Sequence, residues 1–364
     1  MPATRLIVWD AAACWRVHQA TLCLLEETGV EVRHEGARTL PADAGHAVDG
    51  EPDGLDLADG NSYFGTGSDC VYITDPDSEE WRQATENDVE GMAALAEQLP
   101  NIDFVMSMGL PSDVPAQAGD PAQYAAMLAG TRKSLLTMAH DAASLRRRCD
   151  MAAMCGETRS FGCYAMPNPP LVHSAEALDK VQACAELDAP LVYAPAPAVG
   201  STAPASIAAM IAVGNAETLG GLVVHQITKA GVPFVYGAGY LESGIQSSYE
   251  TIVLGNELVS CARALLVEVG DDEALALNEI DAVGRDGSHL GRDHTGRHHR
   301  ETWAPTLFDR AACERWHAAG ATTLKERVHL QTEALRREPR ALALEGSVRE
   351  RLSATLADAG RNGA

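Results

Sequence analysis

Ala189-Pro190-Leu191-Val192-Tyr193-Ala194-Pro195 enters a small-residue turn, Ala198-Val199-Gly200-Ser201-Thr202. A long Ala/Gly-rich helical segment follows, and then a second apolar run, Val232-Pro233-Phe234-Val235-Tyr236-Gly237. Strand, helix and strand in this order read as a βαβ unit. Neither strand alternates apolar with polar residues, so both are buried on two faces, as in a parallel sheet. Parallel α/β folds place their chemistry at the carboxyl ends of the strands. The turns after Pro195 and Tyr236 are therefore the first places to look for a site.

Outward from this unit, strand and helix alternate from Thr85 to about Gly284. Thr85, with Asp88 three residues on, opens a helix through Leu99. Strands are expected at Ile102–Met108, Ser134–Ala139 and Ser160–Ala165, and helices at Pro121–Gly130, Ala143–Cys155 and Ser174–Leu187. Short loops between such elements are the signature of a parallel sheet. Towards the N-terminus, a helix over Ala11–Thr28 closes at Gly29, and Glu35–Gly60 is breaker-rich loop. A hairpin is expected where Asn61–Asp69 leads into Cys70–Thr74, turning at Asp75–Ser78. Towards the C-terminus, Glu314–Leu356 is charged, helical and rich in Arg/Glu pairs, and reads as a solvated or subunit-packing helix pair. The division that follows is 1–84, a helix and hairpin cap; 85–284, a β/α barrel-like domain; and 285–364, a helical extension.

The chain has 364 residues and a formal charge of −23, with 46% hydrophobic and only 5% aromatic residues. Such acidity argues against nucleic acid and anionic membrane as partners, since both need an excess of Lys and Arg. Nine cysteines without a CxxC pair read as reduced thiols used as small hydrophobes. Met1–Asp10 is too short an apolar run for a signal peptide, and the longest apolar segment is broken by Asn215, Glu217 and His225 before it reaches a membrane span. A soluble, cytoplasmic protein is expected.

An ordered set of stretches now carries a family resemblance. They are Leu24-Leu25-Glu26-Glu27-Thr28-Gly29-Val30, Tyr63-Phe64-Gly65-Thr66-Gly67-Ser68-Asp69, Leu99-Pro100-Asn101-Ile102-Asp103-Phe104-Val105 and Pro111-Ser112-Asp113-Val114-Pro115. Pro170-Leu171-Val172-His173-Ser174, the run from Ala194 to Glu217, Gly239-Tyr240-Leu241-Glu242-Ser243-Gly244, and His294-Thr295 with Arg297-His298 complete it. The chain resembles the trimethylamine methyltransferase family, which includes trimethylamine and glycine betaine corrinoid methyltransferases. The resemblance implies a (β/α)8 TIM-type barrel that moves a methyl group from a quaternary or tertiary methylamine to Co(I) of a corrinoid (cobalamin) carried by a partner protein. No tightly bound cofactor and no metal of the chain's own is expected, and the chain is expected to form a homo-oligomer. About six βα units can be found, so the barrel is expected to be incomplete. Set against the family pattern, the missing piece falls near Tyr236–Gly239.

A quaternary ammonium carries its own neutral leaving group, so the enzyme has only to hold the cation, strip water from it and aim one methyl. Cations favour aromatic faces and carboxylates. Tyr63, Phe64, Tyr72 and Asp69 offer both around one hairpin, although Asp69 could equally make an Asx-turn with its own backbone. Glu242 either faces the pocket mouth or supplies a carboxylate to the first turn of its helix. Tyr236 stands where relatives commonly have His, and with Glu242 it is the expected catalytic pair. His140 and Asn168 lie just past strand ends, as substrate contacts or ordinary loop residues. Gly200, Ser201 and Thr202 either cradle a corrinoid phosphate or simply precede a helix with Pro204 in its first turn. His294 and His298 have i, i+4 spacing, but Arg and Gly interleave the cluster, and a pocket-rim or subunit-contact role suits them better than a metal. His225 reads as a hydrogen-bonded core histidine.

Two other classes remain open. One is a degenerate family member that binds a methylated amine or a protein without catalysis. The other, an unrelated barrel enzyme such as an aldolase or metal-dependent hydrolase, is disfavoured because no Lys falls at a strand end in pKa-lowering surroundings.

Overall fold

The structure is a computed structural model that describes residues 9–34, 63–67, 69–155, 161–229, 234–236, 246–265, 276–283, 287–298, 303–338 and 346–361. Helix α1 (Ala11–Cys23) is capped by Asp10, whose carboxylate accepts the Ala13 N–H. It runs into a π-turn at Leu24–Thr28 and stops at Gly29, whose φ of 73° suits glycine. Strand β1 (Glu31–Val32) follows. Next, β2 (Tyr72–Thr74) and β3 (Trp81–Gln83) form the expected hairpin. Asp75 Oδ1 accepts the Asp77 and Ser78 amides in its turn. Helix α2 (Glu86–Glu97) opens on a capping box between Thr85 and Asp88.

The central sheet is then laid down in order. It comprises β4 (Phe104–Met106), α3 (Gly119–Gly130), β5 (Ser134–Thr137), α4 (Ala142–Met154), β6 (Phe161–Ala165), β7 (Val172–His173), α5 (Ala175–Glu186), β8 (Leu191–Tyr193), α6 (Ile207–Thr228) and β9 (Phe234–Tyr236). Five of these strands, β4-β5-β6-β8-β9, pair in parallel with each next to its neighbour in sequence, while β7 pairs with β1. Helix α2 packs on α3, α3 on α4, α4 on α5 and α5 on α6, so the crossover helices form one layer. Right-handed crossovers that always advance by one strand produce this winding. One sheet face sends Val105, Leu135, Cys163, Leu191 and Tyr193 into the main core under these helices. The other carries Met106, Leu136, Tyr164 and Val192, a separate small cluster that is only partly covered.

The remaining elements are β10 (Gln246–Ser247), α7 (Tyr249–Leu265), α8 (Leu277–Val283), α9 (Asp293–His298), α10 (Cys313–Ala318), α11 (Leu324–Arg337) and α12 (Gly346–Arg361). Strand β10 joins β2 rather than the central sheet.

The parallel α/β architecture is as expected, but closure into a barrel is not seen among the described residues. Five strands wound in this way cover only part of the eight-strand circuit that closes a barrel. Three further expectations need correction. Tyr63–Gly67 does not belong to the hairpin. It runs beside β4, where Gly65 bridges Phe104. A Cβ on Gly65 would lie 2.2 Å from the Phe104 ring, so only glycine permits this approach. The charged C-terminal helices are not merely solvated. Helix α11 packs on α7 and α2, α12 packs on α3 and α4, and Val328 and Leu352 enter the core. Finally, α6 is long and apolar enough to cross a membrane. It nevertheless packs against α1 and α5, with Glu217 and His225 fully buried.

Candidate functional site at the carboxyl rim of the sheet

The segment beside β4 delivers Asp69. The Asp103 amide donates to Phe64 O at 2.6 Å, Thr66 Oγ1 bonds both the amide and the carbonyl of Met106, and the Asp69 amide donates to Ser107 O at 2.7 Å. These rungs carry the chain from the amino end of β4 to just past its carboxyl end. There Asp69 adopts φ 43°, and its carboxyl group turns towards α3.

A polar network receives it. Gln123 Nε2 donates to Asp69 Oδ1 at 2.8 Å and to Gly109 O at 3.0 Å, while Gln123 Oε1 accepts from Arg148 Nη2 at 3.3 Å. Arg148 is 1% exposed, ion-pairs with Asp120 Oδ1 at 3.3 Å, and stands 5.7 Å over the Tyr124 ring. Asp120 Oδ2 in turn accepts the His140 amide at 2.6 Å. Among the described residues, Asp69 Oδ2 has no hydrogen-bond partner. The residue as a whole is only partly buried, yet its carboxyl is crowded by protein. Desolvation lifts its pKa to about 6, against the opposing pull of Arg148 and Gln123 and with a small push from Asp120.

The other expected site residues fall in different places. Phe64 and Tyr63 lie at the amino end of β4. Phe64 pairs at Asp103 and Asp69 at Ser107, four residues further along the chain of β4, or about 13 Å. The Phe64 ring already faces a cation, Arg263, at 5.5 Å, and Arg263 is tied to Asp103 at 2.6 Å. The aromatic cage expected around Asp69 is therefore absent from these residues, and Tyr72 sits on β2 in the other sheet. His140 reaches the rim, but its role there is through its backbone amide. Asn168 is an exposed rim residue whose amide and carbonyl both pair with Val172. Tyr236 ends β9 level with Tyr193, four strand spacings from β4, or about 19 Å along the sheet. Glu242 lies outside the described residues.

The expected anion cradle at Gly200, Ser201 and Thr202 is not available. The Ser201, Thr202 and Ala203 amides all donate to Ala198 O, Gly200 N–H donates to Ala203 O, and Thr202 Oγ1 accepts from Ala198. Helix α6 starts beyond this turn, with Ser206 as its cap. The His294 and His298 rings meet at a tilt of 31°, centroids 4.3 Å apart, on the six-residue α9, and Arg292 just before it pairs with Glu279 at 2.8 Å. Among the described residues no group of three or more His, Cys, Asp or Glu could hold a metal.

A second polar cluster lies between β7, β8 and α6. His173 Nδ1 bonds Tyr193 Oη at 2.8 Å, and the Leu171 amide donates to Glu217 Oε1 at 2.8 Å. Burial holds His173 neutral, its pKa lowered to about 4, and raises Glu217. This cluster fastens the rim loop Asn168–Val172 to α6.

Sequence reasoning missed Gln123 and Arg148. Arg146-Arg147-Arg148 looks like a solvated run, and the only signal was spacing, because Leu145, Arg148 and Met151 share one helix face.

The model of the trimethylamine methyltransferase (MTTB) family matches residues 52–238 and 237–362. The chain belongs to the trimethylamine methyltransferase family. It is 22% identical to the trimethylamine methyltransferase MttB of Desulfitobacterium hafniense (strain DSM 10664 / DCB-2), with 86% of each chain covered. It is 20% identical to the glycine betaine methyltransferase of Desulfitobacterium hafniense (strain Y51), with 95% of each covered. Trimethylamine methyltransferase MttB1 of Methanosarcina acetivorans is 33% identical over 101 residues, which is 28% of this chain and 20% of that one. The glycine betaine methyltransferase alignment has 459 positions against 364 residues here, so at least 95 positions have no counterpart in this chain. The two family-matched segments meet at 237–238, directly after β9 and within the stretch where the missing piece was expected.

Proposed function

We propose that this protein is a cytoplasmic methyltransferase that takes a methyl group from a quaternary or tertiary methylamine, of the glycine betaine or trimethylamine type, and passes it to the Co(I) corrinoid of a separate protein. The observation that carries the reading is Asp69 in a chain of this family. It is a carboxylate at the carboxyl rim of a parallel sheet, with one oxygen fixed and the other uncommitted. A quaternary ammonium has no N–H to donate and protonated trimethylamine only one, so both are recognised chiefly by charge and shape, and a single crowded carboxylate oxygen supplies the charge.

Co(I) is the nucleophile that the acceptor supplies. For a quaternary donor, the electron pair of the broken N–CH3 bond stays on nitrogen, and the product is a neutral amine that needs no proton. The protein's contribution is then to bind the cation at Asp69, exclude water around it and orient one methyl. Asn168, on the same rim, is proposed as a further lining residue, whereas Tyr236, about 19 Å along the sheet from β4, is too distant to touch a small cation held at Asp69. Glu242 keeps its proposed catalytic role on the strength of the resemblance alone.

The test is calorimetric titration with glycine betaine and trimethylamine, run alongside spectroscopic detection of methyl-Co(III) formed from Co(I) cobalamin. Binding together with methyl transfer is expected. Binding without transfer supports the degenerate, non-catalytic reading, and absence of binding removes Asp69 as a cation contact.

A further inference from the structure

We infer that Gln123 and Arg148 are positioning residues that hold Asp69 ionised and oriented, with Oδ2 alone presented to the cation. The inference rests on the reading of Asp69 given above and adds how its charge is maintained.

The Gln123 amide is committed at both ends, donating to Asp69 Oδ1 and accepting from Arg148 Nη2. An N–H aimed at Oδ1 leaves no room for a proton on that oxygen. Any proton that Asp69 acquires therefore sits on Oδ2, the oxygen left for a ligand, and proton and cation compete for one atom. Arg148 cannot swing away. Asp120 holds it through its main-chain oxygen and Oδ1, each at 3.3 Å, Tyr124 lies beneath it, and the His140 amide locks Asp120 in turn. Its Nε and Nη1 are buried without a hydrogen-bond partner among the described residues, so its charge is only partly compensated locally. An under-compensated buried cation favours an ionised neighbour. The charged groups acting on Asp69 are Arg148 from α4 and Asp120 from α3, and Asp120 opposes.

The experiment records the carboxyl 13C titration of Asp69 in the ligand-free full chain, assigned by its loss in Asp69→Asn. In parallel, glycine betaine affinity is measured as a function of pH. In the wild type, half-titration is expected near pH 6. Arg148→Met is expected to move it up by about one unit, with affinity falling about tenfold at pH 5 and about twofold at pH 7, and matching the wild type at pH 9. Arg148→Lys keeps the charge and is expected to shift it less. Gln123→Met, which leaves Arg148 in place, is expected to shift it in the same direction and covers the case in which Arg148→Met does not fold. An unchanged or lowered Asp69 titration in Gln123→Met or Arg148→Met overturns the inference. So does betaine affinity in the wild type that is independent of pH between 5 and 8. A wild type whose Asp69 titrates near pH 6, and shifts as expected in the variants, but that binds no betaine supports the positioning pair and overturns the proposed function instead.

Discussion

Replacing Asp69 by Asn separates a residue kept for binding from one kept for stability. Burial raises the Asp69 carboxyl from 3.8 to about 6. A carboxyl raised in the folded state binds its proton more tightly there than in the unfolded chain. Its cost to stability is therefore absent below about pH 4, grows between pH 4 and 6, and is complete above about pH 6. Two pH units of difference correspond to about 3 kcal/mol. Asparagine keeps an oxygen to accept the Gln123 Nε2 hydrogen bond and removes the charge. Asp69→Asn is thus expected to be more stable than the wild type by up to about 3 kcal/mol at pH 8, and indistinguishable from it near pH 3.5. A cation about 4 Å from the carboxylate, at an effective dielectric of about 20, is held by roughly 4 kcal/mol before desolvation is subtracted. Betaine affinity at pH 8 should accordingly fall by about two orders of magnitude. Urea unfolding at pH 8, 6 and 4, followed by circular dichroism, reads the first effect, and calorimetry reads the second. An Asn variant less stable than the wild type at pH 8, or a difference that does not vary with pH, would refute the reasoning.

Other outcomes follow from the same structure. His173 and His225 are buried neutral, each with its pKa lowered from 6.5 to about 4. The stability tied to their neutral forms is complete above pH 6.5 and lost as the pH falls towards 4, by roughly 3 kcal/mol each, partly offset by Asp69. His225→Gln should flatten the acid limb of a plot of urea midpoint against pH. Phe64→Ala should lower stability by about 1–2 kcal/mol through lost packing and its contact with Arg263, yet leave betaine affinity within about twofold, as measured by unfolding and calorimetry. Gly65→Val should lower the thermal midpoint by several degrees, because its side chain meets the Phe104 ring. It should also return the Asp69 carboxyl, freed from its seat, towards pH 4 in the 13C titration.

Much of this was legible in the sequence, for physical reasons that differ from element to element. The parallel strands announced themselves as unbroken apolar runs, since Leu191-Val192-Tyr193 must satisfy a helix layer on one face and a second apolar cluster on the other. Helix starts were equally plain, because Thr85 with Asp88 and Ser174 before Ala175 satisfy amide groups that nothing else would reach. Asp69 was singled out in the sequence, but the aromatic residues expected beside it lie elsewhere in the structure. Contiguity in Tyr63-Phe64-Gly65-Thr66-Gly67-Ser68-Asp69 suggested one cage, whereas an extended chain carries its two ends to opposite ends of a strand. The true partners, Gln123 and Arg148, lie on two helices and meet Asp69 only through packing, which no local pattern encodes. The Gly200-Ser201-Thr202 turn misled in the opposite way. Its composition suits an anion, but the turn spends its amides on its own carbonyl groups.

The winding order of the central sheet has an evolutionary consequence. Because β4, β5, β6, β8 and β9 each pair only with the strand before and the strand after, and each crossover helix leans mainly on the next, the sheet is a linear stack of similar modules. In such a stack, the energetics are dominated by nearest-neighbour interfaces. Excising modules beyond β9 removes the interfaces they made and leaves the earlier ones standing. A lineage can therefore shorten its sheet at that edge without dismantling the Asp69 corner, which is built at the opposite edge.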